Sequence, residues 1–211
     1  MNHALVCKRG GFISSRHDNI RDTLTVLLSK VCNNFQAEPH LTPLDNEVFT
    51  LRTANTSEEA RLDIKANSFW RRGQTAFFDV RITHVNSASN INKETATIFK
   101  QHEMEKKRQY LQRVLDVEHG SFTPLIMGTN GGMGKECDRF IKNLSDKLAT
   151  KNNDGYSSVV SWVRTRLSFE ILKSVILCVR GSKSPFYKPV ITENDAIDDF
   201  HMNASLAGIL S

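Results

Sequence analysis

Apolar residues recur at helical spacing between Arg16 and about Cys32. This period predicts an amphipathic helix, with Ser14 or Ser15 as its N-cap. The residues before it are predicted to be irregular as far as position 14, because Gly10 and Gly11 interrupt any regular element. The apolar positions of the helix are Ile20, Leu24, Leu27, Leu28 and Val31.

Four segments carry strand patterns. Two of them are strongest: Ala60–Ala66 alternates apolar and polar residues, and Ala76–Thr83 is rich in aromatic and β-branched residues. A basic turn at 71–74 separates these two, which favours a hairpin. Phe35–Leu41 is predicted as an earlier strand, and Phe122–Met127 as a buried later one.

The second half of the chain is predicted to be mainly helical. A charged helix is expected at about 93–118, and a second at 135–149 after a glycine-rich loop. An apolar-faced third helix at 157–179 is ended by Gly181. The order of elements favours an α/β fold with a mixed sheet over a doubly wound one. We expect a polar tail at 184–211.

Composition agrees with an ordinary globular protein. The chain has 211 residues, of which 39% are hydrophobic and 24% charged. It holds no apolar run long enough to cross a membrane, and its first eleven residues lack the apolar core of a secretory signal. The net charge of +5 favours an anionic partner weakly.

The four cysteines are scattered and form no CxxC pair. We therefore expect a reducing compartment rather than a disulfide scaffold. Cys32, Cys137 and Cys178 lie on or near apolar helix faces, so we expect buried structural thiols there.

Two carboxylates interrupt the two strongest strands. Asp63 lies within one strand and Asp79 within the next, so a hairpin would bring them together on one face. Paired carboxylates suit Mg²⁺, and Arg81, two residues after Asp79, points to the same face and could neutralise phosphate charge. The alternative is a structural ion pair of Asp63 with Arg81 or Lys65.

Short motifs in order along the chain resemble the PD-(D/E)xK nuclease superfamily. More closely, they resemble the restriction-like endonuclease region that follows the reverse transcriptase in some retrotransposon polyproteins. The resemblance covers residues 3–183. The matching motifs are Arg16–Asp22, Glu38-Pro39, Arg61–Ile64, Phe78–Arg81, Lys107-x-x-Tyr110, Glu118–Leu125 and Gly131–Gly134.

This resemblance implies a restriction-endonuclease-like αβββαβ core over residues 15–183, with extra C-terminal helices. It also implies a metal-dependent DNA endonuclease. Asp63 and Asp79 would hold Mg²⁺ or Mn²⁺, and Asp22 would be a supporting acid. Lys107 and Tyr110 would line the site or contact phosphate. The implied partners are DNA and a reverse-transcriptase module, and the implied location is intracellular and nuclear.

The chain departs from the family pattern at two places. Leu62 replaces the usual proline, and Arg81 stands where the family more usually has lysine. Arginine stabilises charge but cannot serve as a general base. Lys65, in Asp63-Ile64-Lys65, is the alternative candidate for the catalytic cation, and the choice between it and Arg81 stays open. Three functions stay open: an active nuclease, an inactive nucleic-acid-binding module, and a structural or protein-interaction domain.

The acid that completes the site is also left open among Asp18, Asp22 and Glu38. For binding DNA, Arg71 and Arg72 are well placed, because a turn between the two acidic strands could hold a phosphate. Aromatic residues beside them, Phe69 and Trp70, could stack on a base, although burial is commoner for such residues.

Two further sequence patterns give only weak evidence of a binding site. His3 and Cys7 resemble the second half of a zinc motif that precedes the nuclease region in those polyproteins, and residues 1–14 would be its remnant. Two ligands rarely hold zinc, so we expect none here. The glycine spacing of the loop from Gly128 to Gly134 differs from that of a P-loop. Glu136 also stands where a P-loop has a serine or threonine. We therefore expect no nucleotide cofactor.

Overall fold

The computed structural model describes residues 2–7, 9–42 and 61–181. The chain divides into two units, residues 1–181 and residues 182–211. The predicted polar tail lies outside the described residues, as does the start of the predicted strand at Ala60.

A four-stranded mixed sheet forms the centre of the described residues, in the order β1-β2-β3-β4. The pairs β1–β2 and β2–β3 are antiparallel, whereas β3–β4 is parallel. The predicted α/β class with a mixed sheet is confirmed. A parallel pair needs a crossover, which the helix Thr95–Asp116 supplies. The strands are β1 (Phe35–Ala37), β2 (Ile64–Asn67), β3 (Thr75–Thr83) and β4 (Ser121–Gly128).

Helices cover this sheet, and the three long helices of the second half match their predicted positions. α5 packs against α1, α2 and α4, while α3 and α4 both contact β4. No helix in the described ranges is long and apolar enough to span a membrane. The helices are α1 (Asn2–Val6), α2 (Phe12–Ser29), α3 (Thr95–Asp116), α4 (Lys135–Asn152) and α5 (Tyr156–Arg180).

The predicted irregular N-terminus is wrong. Asn2–Val6 is helical, and a short 3₁₀ turn at Arg9–Gly11 leads into α2. The predicted serine caps are also wrong, because α2 begins at Phe12, before both serines. Gly11 precedes it with a left-handed φ of 66° and no side-chain cap. The two glycines therefore redirect the chain between two helices and do not break a coil.

Two predicted strand boundaries are also wrong. β1 ends at Ala37 because Glu38 takes a positive φ of 50° and Pro39 has no amide hydrogen to donate. β2 starts only at Ile64; before it, Arg61 makes a single isolated bridge with His40.

Alternate residues of β3 divide between the two faces of the sheet. On one face, Phe77 packs in a cluster with Tyr110 and Val114 of α3. On the other, Phe78 meets the ring of Phe140 of α4 at 4.9 Å. Because side chains alternate along a strand, Asp79 shares the α3 face with Phe77. The register of β3 therefore directs this carboxylate towards α3.

The predicted burial of three cysteines is confirmed. Cys32, Cys137 and Cys178 are buried and all are free thiols. Burial also raises the pKa of the Cys137 thiol, with the charges of Asp138 and Glu103 acting in the same direction. These thiols are core residues.

Candidate active site

Asp63 and Asp79 lie opposite each other on adjacent chain segments, as the predicted hairpin requires. Ile64 pairs with Phe78 in the antiparallel register, and the Asp63 backbone N–H donates to the Phe78 carbonyl at 3.2 Å. The Val80 backbone N–H donates to Asp63 Oδ2 at 2.6 Å. This bond fixes the orientation of the Asp63 carboxylate next to the strand that carries Asp79.

Asp79 is buried, with 4% of its surface exposed. Its partner is Lys106 of α3, whose Nζ lies 2.7 Å from Asp79 Oδ2. Burial raises the pKa of Asp79 to about 6; the charge of Asp63 acts in the same direction, while Lys106 opposes it. A buried carboxylate with a neighbouring like charge is stabilised by additional positive charge.

Asp63 has a cationic partner of its own on α2. His17 Nε2 lies 3.1 Å from Asp63 Oδ2, and its Nδ1 lies 3.4 Å from Asp18 Oδ1. Burial alone would lower the pKa of His17, but hydrogen bonds to Asp18 and Asp63 and the charges of Asp63 and Asp79 outweigh it. The pKa rises to about 10. His17 is therefore an imidazolium at neutral pH and donates hydrogen bonds to Asp18 and Asp63.

An ion-pair network on α2 engages the acids that the sequence left open as supporting residues. Arg21 Nη1 lies 2.6 Å from Glu38 Oε1 and 3.2 Å from Asp18 Oδ1. Its Nη2 lies 2.9 Å from Asp22 Oδ1. Of the three acids, Asp18 reaches Asp63 through His17. Asp22 and Glu38 pair with Arg21, and Arg61 adds a 3.5 Å contact to Glu38.

Arg81 shares the α3 face with Asp79, but its guanidinium pairs with Glu105 at 2.7 Å. Lys65, the other strand cation, extends over the ring of Phe77 with its Nζ 5.7 Å from the ring centroid. The cation that reaches Asp79 is Lys106, which the strand motif could not indicate because it lies on a different element.

The Lys-x-x-Tyr motif on α3 is divided between two sites. Lys107 Nζ contacts Glu136 Oε1 of α4 at 2.5 Å, away from the two aspartates. Adjacent helical residues point about 100° apart. Lys106 therefore points towards the sheet, where its Nζ lies 5.5 Å from the Tyr110 ring centroid. Tyr110 is buried in the cluster beside Phe77.

The donor set suits a hard divalent cation. Mg²⁺ is commonly bound through one or two carboxylates with water completing its shell, so Asp63 and Asp79 are a sufficient protein contribution. Across the described ranges, no group of three or more His, Cys, Asp or Glu side chains is placed to hold a metal ion together. His3 is exposed on α1, and neither it nor Cys7 belongs to such a group.

The comparisons with known proteins add no family. No protein-family model matches the sequence, and no curated protein matches it significantly. The functional argument therefore depends on the arrangement of these side chains.

The glycine-rich loop leads directly into α4, as a tight connection does. Glu103 of α3 accepts a hydrogen bond at 3.0 Å from the Glu136 backbone N–H at the start of α4. A Cβ on Gly134 would overlap with Glu103 Oε1, so a side chain there would displace the end of the Glu103 side chain. An acid therefore occupies the helix end where a P-loop would hold phosphate.

The proposed DNA-contacting residues of the β2–β3 turn are placed unequally. Arg71 and Arg72 are exposed. Phe69 is fully buried against the Phe140 ring at 4.9 Å, so it cannot stack on a base. Trp70 is half-buried and lies beside Arg71 in a surface pocket.

Proposed function

We propose that this protein is a metal-dependent DNA endonuclease of the restriction-like type, derived from a retroelement. The observation that supports it most strongly is the pair Asp63 and Asp79, held opposite each other on the β2–β3 hairpin with Lys106 2.7 Å from Asp79. Two carboxylates and a cation at one point of a sheet form an arrangement suited to phosphodiester hydrolysis.

Asp63 and Asp79 would bind Mg²⁺ or Mn²⁺. When bound, such an ion activates water and neutralises charge on the phosphate. The Val80 backbone N–H and His17 hold the Asp63 carboxylate in place from two sides. Orientation of this kind is the usual contribution of the residues around metal ligands.

Lys106 takes the part that the sequence pattern assigns to Arg81. The charge of Asp79 raises the pKa of Lys106 despite its burial, so its side chain is an ammonium ion at neutral pH. It therefore stabilises negative charge on the phosphate and does not accept a proton. The nearby Tyr110 limits the directions that the Lys106 side chain can take.

The wider function that we propose rests on the resemblance of the sequence to the endonuclease region of retrotransposon polyproteins. The DNA substrate would be cut inside the cell nucleus, and a reverse-transcriptase module would be the partner. A nick at the target would supply the primer end for reverse transcription. The excess of basic residues over acidic ones, 28 against 23, is consistent with a polyanionic substrate.

An inactive nucleic-acid-binding module is the second candidate. The observation that favours it is the pairing of both carboxylates with protein cations, Asp63 with His17 and Asp79 with Lys106. Such a network can serve stability alone. This module would bind DNA in a salt-dependent manner without cutting it.

Nicking of supercoiled plasmid separates the two candidates. If the protein is a nuclease, we expect it to produce open-circular plasmid with Mg²⁺ or Mn²⁺. We expect no such product with EDTA, and none from Asp63→Ala in the presence of metal. Nicking that survives Asp63→Ala, or no nicking with either metal, would reject it. Retained DNA binding without nicking would then support the second candidate.

A further inference from the structure

A pocket of about 420 Å³ lies beside the turn between β2 and β3. It is on the opposite face of the sheet from the aspartates: Thr123 pairs in register with Phe78, which faces α4, whereas Asp79 faces α3. None of the described residues that line it is acidic. The polar and aromatic lining residues are Trp70, Arg71, Gln74, Ser121, Phe122, Thr123 and Arg139.

The guanidinium of Arg139 is held in this pocket on two sides. Its Cζ lies 4.8 Å from the Trp70 ring centroid, and its Nη2 lies 2.9 Å from Glu136 Oε2. Even so, 64% of the Arg139 side chain is exposed. A planar cation that is already oriented loses less conformational entropy when a ligand binds to its outer surface.

Trp70 is in turn fixed by the core. Its Nε1–H donates to Thr123 Oγ1 at 3.0 Å, and its ring meets the buried Phe69 edge to face at 4.8 Å. Phe69, Trp70 and Arg139 therefore form a continuous series of contacts that runs from the core to an exposed guanidinium. Arg71 adds a second cation at the same pocket.

We propose that this pocket is a binding subsite for an unpaired nucleotide of a DNA strand. The base stacks on the outer plane of Arg139, as bases do on guanidinium groups in single-strand recognition. Arg71 binds the adjoining phosphate, and Gln74 and Ser121 offer polar contacts to the same nucleotide. A duplex, whose bases are stacked within the helix, cannot use the guanidinium plane in this way.

The subsite extends the proposed function, since both take DNA, but the two can fail independently. The pocket and the aspartates lie on opposite faces of the sheet. Binding in EDTA therefore reports on the pocket without metal-dependent cutting, whereas nicking reports on the aspartates.

The test is fluorescence anisotropy with a labelled single-stranded oligo(dT) of twenty nucleotides and a mixed-sequence duplex of the same length, in EDTA at two salt concentrations. The whole chain is used, with the variants Arg139→Ala and Arg139→Lys. Arg166→Ala is the matched control, because Arg166 also stacks on a tryptophan, with its Cζ 5.5 Å from the Trp162 centroid, but lies outside the pocket.

Arg139→Ala is expected to weaken single-strand binding about fivefold or more, the effect of losing one stacked base. Arg139→Lys keeps the charge and the salt dependence but recovers less than half of the lost affinity, because an ammonium group has no plane. Arg166→Ala should stay within about twofold of the wild type, since it loses only a distant charge.

Three results would overturn the subsite. The first is an equal loss of single-strand affinity in Arg139→Ala and Arg166→Ala, which would indicate that binding depends only on the overall positive charge of the protein. The second is full recovery by Arg139→Lys. The third is equal weakening of duplex and single-strand binding by Arg139→Ala. Because Arg139 is largely exposed, these variants should keep the wild-type fold, and circular dichroism confirms this before binding is compared.

Discussion

Lys106 of α3 and Asp79 of β3 form an ion pair of 2.7 Å across the face of the sheet. Arg81 lies on the same strand face as Asp79 but pairs with Glu105. The positive charge at Asp79 therefore comes from the crossover helix and not from the strand that carries Asp79.

This relationship predicts unequal effects of two matched substitutions. Lys106→Met should lower the rate of metal-dependent plasmid nicking by about 100-fold, the typical cost of losing one charge-stabilising group. Arg81→Met should lower it less than about fivefold, because it removes only a half-exposed ion pair. Initial rates at saturating metal measure both effects. Melting temperatures show whether Lys106→Met remains folded.

The opposite ranking, with Arg81→Met the more damaging, would assign the catalytic cation to the strand. Equal losses of nicking rate in both variants would indicate that neither Lys106 nor Arg81 has a specific role in catalysis. In both cases the assignment of Lys106 would be withdrawn.

His17 makes the stability of the metal-free protein dependent on pH. Its pKa is about 10 in the folded state, against 6.5 as the ordinary value. The stabilisation by His17 is therefore fully present below pH 6.5 and is lost as pH rises towards 10. Between pH 6.5 and 9.5 in EDTA, the wild type should lose about 2 kcal/mol more stability than His17→Gln.

Urea unfolding at several pH values measures this difference. His119→Asn is the control, because His119 is exposed and asparagine tolerates its positive φ of 51°. It should follow the wild-type curve. If the free energy of unfolding depended on pH in the same way for the wild type and His17→Gln, His17 would not be paired with Asp18 and Asp63.

Gly134→Ala is predicted to be destabilising, because the end of the Glu103 side chain would have to move. Gly134 precedes α4 with an ordinary φ of −68°, so the cost of Gly134→Ala is steric and comes from Glu103. We expect a loss of about 1–3 kcal/mol in the free energy of unfolding. Gly155→Ala is matched, because Gly155 precedes α5 with φ −70° and the nearest atom to its Cβ would be 4.0 Å away.

Both glycine variants lose the same intrinsic preference for glycine at a helix start, so their difference isolates the contact with Glu103. Equal stabilities in denaturant unfolding would mean that Glu103 does not approach Gly134 in solution.

The sequence predicted the elements whose patterns are long and regular. β3, α3, α4 and α5 were located to within a few residues, because each carries an extended period of two or of 3.6. The short α1 has only five residues, too few for a period to be recognised, and its two following glycines suggested coil. β1 was overextended because propensity does not show the positive φ of Glu38.

The candidate site was predicted only in part, for a similar reason. The hairpin places Asp63 opposite Asp79, and this follows from strand register, which is local. The choice between Lys106 and Lys107 depends on how α3 is rotated against the sheet. Its polar sequence hardly indicates this rotation: only a few of its residues are buried, among them Tyr110 and Val114. The pairing of His17 with Asp63 joins residues 46 positions apart, and no sequence motif specifies it.

The most direct test of the central claim is nicking of supercoiled plasmid by Asp79→Asn, with Mn²⁺ as the metal. Asp138→Asn, which removes a partly exposed carboxylate paired with Arg164 on another surface, is prepared in parallel. The account predicts that the wild type and Asp138→Asn nick at similar rates, whereas Asp79→Asn is at least about 100-fold slower. Nicking by Asp79→Asn at the wild-type rate would contradict it and would assign the activity to another site or to a contaminant.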